Sequence, residues 1–402
     1  MFEEIPYKKP LIIGTGGGND IVSATLILAD LMRHGRKADL AGICSPGAWH
    51  KYDGKEEQSV NLVTKNTIRY RASRFIKYIS FIDSRVPGLL QKEGIDVKVF
   101  NLSLRYGTSK LIEGLQNLIE REGYDGIIAV DVGGDILARG KEDSTILSPL
   151  MDFSTLYVLS KLEIPTTLIE FGFQTDGELR PKGCEEILKE LKDTGILKKI
   201  LEINLKDPAV NIYKNVYHGI ENIRHGHTAA MTFRTLEEKE NINTIYRARV
   251  QIDERKWYHE FPLVLESKYF AKAFLIDNKE LAKRRILSFP YENPLELYLK
   301  TKLIVDTKTE MDMVYSRINI DNADYILWLG LLCPQINDEK RMDILKFGLG
   351  RVYPNADLSI LWHKDAEFLP SDWYKVYIDG FVLAGISKSL IVGAGEEIHK
   401  II

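Results

Sequence analysis

Pro10-Leu-Ile-Ile-Gly-Thr-Gly-Gly-Gly-Asn-Asp20 is the stretch whose reading decides the fold. A short apolar run, Leu11 to Ile13, breaks into Gly14-Thr15-Gly16-Gly17-Gly18-Asn19-Asp20, and an Ala-rich apolar segment from Ile21 to Met32 follows with helical spacing. That is a strand, a glycine turn and the start of a helix. Backbone amides at such a turn can face an anion, and the absent side chains allow a ligand to come close. Asn19 and Asp20 close the turn, so a carboxylate stands where a phosphate alone would otherwise be expected.

Working outward, the same alternation recurs. Lys37–Cys44 reads as a second strand and 97–101 as a further short one, with a helix over Thr108–Glu122 whose apolar positions are Leu111, Ile112, Leu115, Leu118 and Ile119. Gly126–Asp131 is a continuous apolar strand of the kind buried on both faces, and it ends in Asp131-Val-Gly-Gly-Asp135. A helix over 148–162, a strand over Thr166–Phe171 and a helix over Pro181–Leu191 complete the clear part. Residues 51–96 read as polar and irregular, with a strand expected only at Phe75–Ser80. Later, Tyr269–Ile276 reads as a strand with a helix from Asn278, and Pro290–Pro294 as a boundary. Apolar runs at Tyr325–Leu332, Leu358–Trp362 and Leu390–Val392 suit an α/β extension. The expected class is α/β, a mostly parallel sheet with helices on both faces over residues 1–290, followed by a C-terminal α/β extension or small second domain over 291–402.

In an open α/β sheet, ligands bind beyond the carboxyl ends of the strands. Asn19 and Asp20 fall there after the first strand, Trp49 and His50 beyond the second, Asp131 and Asp135 after the 126–131 strand, and Asp176 and Glu178 after the 166–171 strand. Each acid alone has a bland account, because Asp beside Gly suits turns and Asp at a helix start is a cap. Three such clusters on one edge say more than any single one. Acids of this kind can hold a hard divalent cation such as Mg²⁺ or Ca²⁺, with Asp20, Asp131 and Asp135 as its ligands. They can also act as general acid and base, or hydrogen-bond sugar hydroxyls.

The dinucleotide pattern needs a third glycine where Asn19 stands, and an acid at the end of the second strand where Cys44-Ser45 stands. No Gly-Lys-Ser/Thr follows the turn, so the P-loop pattern fails. His225-Gly-His227 would put two imidazoles on one side of an extended segment, suiting a metal or phosphate, although a loop pair beside Arg224 explains them as well. Arg234 and Arg139 are candidate clamps for an anionic substrate. No Gly-x-Ser-x-Gly elbow is present.

Composition narrows the classes further. Of 402 residues, 45% are apolar and 28% charged, as in ordinary globular proteins, and a net charge of −3 gives no footprint for nucleic acid. Cys44, Cys184 and Cys333 form neither a disulfide framework nor a metal knuckle. With no signal-peptide pattern and no bilayer-length apolar run, the expected setting is cytoplasmic, without membrane contact.

Three motifs in order resemble the domain-of-unknown-function family 1152, found largely in archaea. They are Ile-Gly-Thr-Gly-Gly-Gly-Asn-Asp-Ile-Val-Ser-Ala near the start, Val-Asp-Val-Gly-Gly-Asp-Ile-Leu-Ala at 130–138 with Leu-Ser-Pro-Leu-Met-Asp at 147–152, and Phe-Gly-Phe-Gln-Thr-Asp-Gly-Glu-Leu at 171–179. The resemblance covers about residues 10–290, and this chain departs from it at Asn19, where members often carry a fourth glycine. It implies a Rossmann-like fold and a site shared by Asp20, Asp131, Asp135 and Asp176, and it implies no reaction. The reading is an enzyme acting by hydrolysis or group transfer on a small phosphorylated, nucleotide-like or sugar-like substrate. Gly14, Gly16, Gly17, Gly18 and Asn19 would receive the anionic part, Asp131, Asp135 and Asp20 would do the chemistry, and Asp176, Glu178, His225, His227 and Arg234 would line the rim. The rivals are a nucleotide or metabolite sensor without turnover and an NAD-linked oxidoreductase. The expected partner is a small-molecule ligand, and a homo-oligomer is left open.

Overall fold

The computed structural model describes residues 1–16, 20–44, 48–56, 58–71, 76–78, 82–103, 108–139, 150–175, 179, 181–220 and 271–286, with short pieces inside 229–269 and 373–387. One eight-stranded sheet organises them, in the order β11-β12-β10-β9-β1-β2-β8-β5. Its strands are β1 (Pro10–Gly14), β2 (Asp39–Cys44), β5 (Val60–Leu62), β8 (Val99–Ser103), β9 (Gly126–Val132), β10 (Thr166–Phe171), β11 (Leu197–Glu202) and β12 (Lys272–Asp277). Neighbours from β10 through β9, β1 and β2 to β8 are parallel, while β5 pairs antiparallel with β8 and β12 antiparallel with both β10 and β11.

The chain moves outward one way from β1 through β2 to β8, then returns through α3 (Thr108–Glu122) to β9 on the other flank of β1. β1 and β9 therefore bracket the point where the strand order reverses. Their carboxyl ends diverge into loops on opposite sides of the sheet and leave a crevice there.

Alternate residues of the parallel strands feed two cores. Leu11, Ile13, Ile127, Ala129 and Leu168 pack with α3, α4 (Leu150–Ser160) and α5 (Pro181–Asp193). Ile12, Ile128, Val130 and Ile169 pack with α1 (Asp20–Arg33) and α6 (Pro208–Ile220). Burial on both faces explains why these strands read as unbroken apolar runs. α1 packs against both the sheet and α6, and it starts close against β1. A Cβ on Gly14 would lie 2.4 Å from the Ile21 backbone nitrogen.

Residues 51–96 hold more structure than their polar composition suggests. β3 (Ala48–Tyr52), β4 (Lys55–Glu56), β6 (Ile68–Arg71) and β7 (Ile76–Tyr78) form a separate antiparallel sheet in the order β4-β3-β6-β7. α2 (Ile82–Lys92) follows, burying Ile82, Val86 and Leu90 at helical spacing despite Pro87. The 75–80 strand exists as β7, and its neighbours lack the apolar runs that would announce them. α6 also carries a concealed signal, an Asp207 cap whose carboxylate accepts from the Ala209 amide at 2.8 Å, with Pro208 at the first helical position. α7 (Asn278–Ile286) follows β12 directly. Pro290–Pro294 and the apolar runs at 325–332, 358–362 and 390–392 lie outside the described residues. No helix among the described residues is long and apolar enough to cross a membrane.

Candidate functional site

β1 and β9 end side by side, and Thr15 ties the two ends together. Its amide donates to the Val130 carbonyl at 2.9 Å, and its hydroxyl donates to the same carbonyl at 3.1 Å and to Asp131 Oδ1 at 3.3 Å. The first turn of α1 places Asp20 beside this junction, with Oδ2 accepting the Gly16 amide at 2.6 Å. α4 lies over the same junction, because Thr155 donates to the Thr15 carbonyl at 2.9 Å. That contact brings Asp152, in the first turn of α4, down onto the end of β9.

Three carboxylates converge as a result. Asp20, Asp131 and Asp152 each offer an oxygen within 4.8 Å of the others'. All three side chains are buried, Asp131 at 1% exposure. Asp152 Oδ1 is buried without a hydrogen-bond partner. Burial pushes the Asp152 carboxyl well above the ordinary carboxylate range, and the charges of Asp131 and Asp20 push it the same way. Three ionised carboxylates cannot share so small a dry volume unless a proton or a cation stands among them.

The glycine turn is part of the same packing. A Cβ on Gly16 would sit 2.6 Å from Asp20 Oδ2 and 3.1 Å from Asp152 Oδ1, so this position needs glycine for the acids to close over it. Asp20 and Asp152 each occupy the first turn of a helix, where the amide dipoles favour negative charge.

The expected residues fall into three groups. Asp20 and Asp131 stand at the cluster with Gly14 and Gly16 beside them. Asp135 is half-buried at the start of a short 3-10 turn, Asp135–Leu137, and the third converging carboxylate is Asp152 instead. Gly17, Gly18, Asn19, Asp176, Glu178, His225, His227 and Arg234 lie outside the described residues, as do the side chains of Trp49 and His50. Arg139 is not a free clamp, because its guanidinium pairs with Glu186 at 3.0 Å. Asp152 was not among the expected site residues although it ends the Leu-Ser-Pro-Leu-Met-Asp motif. A search confined to strand ends passes over an acid that a helix folds back onto them.

Comparison with known proteins gives a family without a reaction. The model of the family described as "Protein of unknown function (DUF1152)" matches residues 11–223, just over half of the chain. No curated protein and no solved structure matches.

Proposed function

The chain belongs to the DUF1152 family of proteins of unknown function, and on that premise we propose that it is an enzyme whose Asp20, Asp131 and Asp152 hold a divalent cation. Its substrate is a small phosphorylated molecule, nucleotide-like or sugar-like, and the reaction is hydrolysis or group transfer. The carrying observation is the convergence of three buried carboxylates within 4.8 Å, with Asp152 Oδ1 lacking any partner. A hard cation supplies what such a cluster needs, since Mg²⁺ and Ca²⁺ take six or more oxygen ligands and cancel the charge that burial makes costly.

Chemistry follows from the ligand count. Three protein oxygens leave coordination positions for water and for phosphate oxygens, so the cation can polarise a phosphoryl group and lower the pKa of an attacking water. The location supports this reading, because the cluster sits where the strand order reverses. As part of the same proposal we place the protein in the cytosol, in keeping with three widely spaced cysteines.

Melting the protein with and without Mg²⁺, Mn²⁺ or Ca²⁺ tests the cation, with Asp131→Asn as control. We expect a rise in melting temperature in the wild type and none in Asp131→Asn; no rise in either removes the cation from the reading. Incubation with nucleotides and sugar phosphates, followed by mass spectrometry, tests turnover. Ligand retained but never converted would make the protein a binding module.

A further inference from the structure

Resting on the cation reading above, we propose that Glu170 is the fourth acid of this centre, accepting a hydrogen bond from a water held on the cation. Register carries the inference. In the β9–β10 ladder Glu170 is the direct partner of Asp131. Directly paired residues project from the same face of a sheet, with their strands about 4.8 Å apart. Leu168, two residues before Glu170, and Ala129, two before Asp131, both belong to the core under α4, so the two acids share that face.

Glu170 is wholly buried, and its partner on the other flank is Phe274 of β12. A residue between Leu168 and an aromatic neighbour, in mid-sheet, would be apolar if packing alone selected it. Glu170 is one methylene longer than Asp131, so its carboxyl can reach further from the sheet, toward the layer where α4 delivers Asp152. The partnerless Asp152 Oδ1 gives this cluster the mark of a ligand site independent of Glu170. Three aspartate oxygens leave a hard cation's remaining positions to waters and substrate, and such waters are oriented by acceptors outside the direct ligands.

The test is Mn²⁺ affinity of the full chain, read from melting-temperature titrations and checked by calorimetric titration. Glu170→Gln should fold and bind Mn²⁺ about 10-fold more weakly, the usual cost of removing a partner behind the direct ligands. Asp30→Asn alters a buried acid at the far end of α1 and should leave affinity unchanged. Should Glu170→Gln not fold, Glu170→Asp keeps the charge while withdrawing the carboxyl, and should also weaken binding. Wild-type affinity in whichever variant folds overturns the role of Glu170 and leaves the cation site standing. A wild type that does not bind Mn²⁺ overturns both.

Discussion

At the scale of single residues, Gly16 is where the acid centre is tightest. Gly16→Ala would drive a methyl group against Asp20 Oδ2 and Asp152 Oδ1. We expect cation response to vanish while stability falls by only about 1–3 kcal/mol, the range for overpacking a site that can partly relax; parallel metal titration and urea melts measure both. Gly14→Ala should behave differently, because its obstacle is the Ile21 backbone rather than a side chain. A loss of about 3 kcal/mol is expected there, read in the same urea melts. Asp20 and Asp131 were legible in the sequence because a glycine turn and an apolar strand end announce them. Asp152 and Glu170 were not. One is brought in by a helix lying across β1, and the other is hidden inside a strand by a pairing that one chain segment cannot reveal.

Among the elements, α7 is held by an ion pair that also reaches toward the site. Arg285 is almost fully buried and binds Glu190 of α5 through both terminal nitrogens, at 2.9 and 3.0 Å, while its Nε donates to the Leu137 carbonyl at 3.0 Å. Leu137 ends the 3-10 turn that follows β9, so one guanidinium joins two helices to the loop beyond Asp131. Arg285→Met should cost about 2–3 kcal/mol by chemical denaturation. That is below the 3–5 kcal/mol of a fully buried pair, because Glu190 keeps a quarter of its side chain in water. Burial pushes the Glu190 carboxyl up, but Arg285 and then Arg284 overcome it and hold the group below its ordinary range. The folded-state pKa thus lies below the unfolded one, so the stabilisation is present above about pH 4.3 and disappears as pH falls through the folded value. Between about pH 5 and 3 the wild type should lose more melting temperature than Glu190→Gln, which a pH series of thermal melts will show. Helices with clean amphipathic spacing, such as α3, were legible, as was β7; α2 was obscured by Pro87 and Gly88, and the β3, β4 and β6 strands by short, charged runs.

For the molecule as a whole, the acid cluster joins α1, β9 and α4, three elements far apart in the chain. Saturating Mg²⁺ should therefore slow amide hydrogen exchange together in peptides covering residues 10–33, 126–139 and 150–160, and leave β11 at the sheet's edge unchanged. Mass-spectrometric exchange with and without Mg²⁺ checks it. The parallel architecture was readable because strands buried on both faces write themselves as apolar runs between helices. The reversed β12 was readable as a strand and not as an insertion, since nothing local records which neighbours a strand will choose. That insertion also sets an order in time. β11 ends at Glu202, and its one sheet neighbour among the described residues, β12, begins only at Lys272, so during synthesis β11 leaves the ribosome long before it has anything to pair with. Its exposed Lys198 and Lys199 guard that waiting edge against premature partners, and its amides should be the last of the sheet to gain protection when the unfolded chain is returned to native conditions.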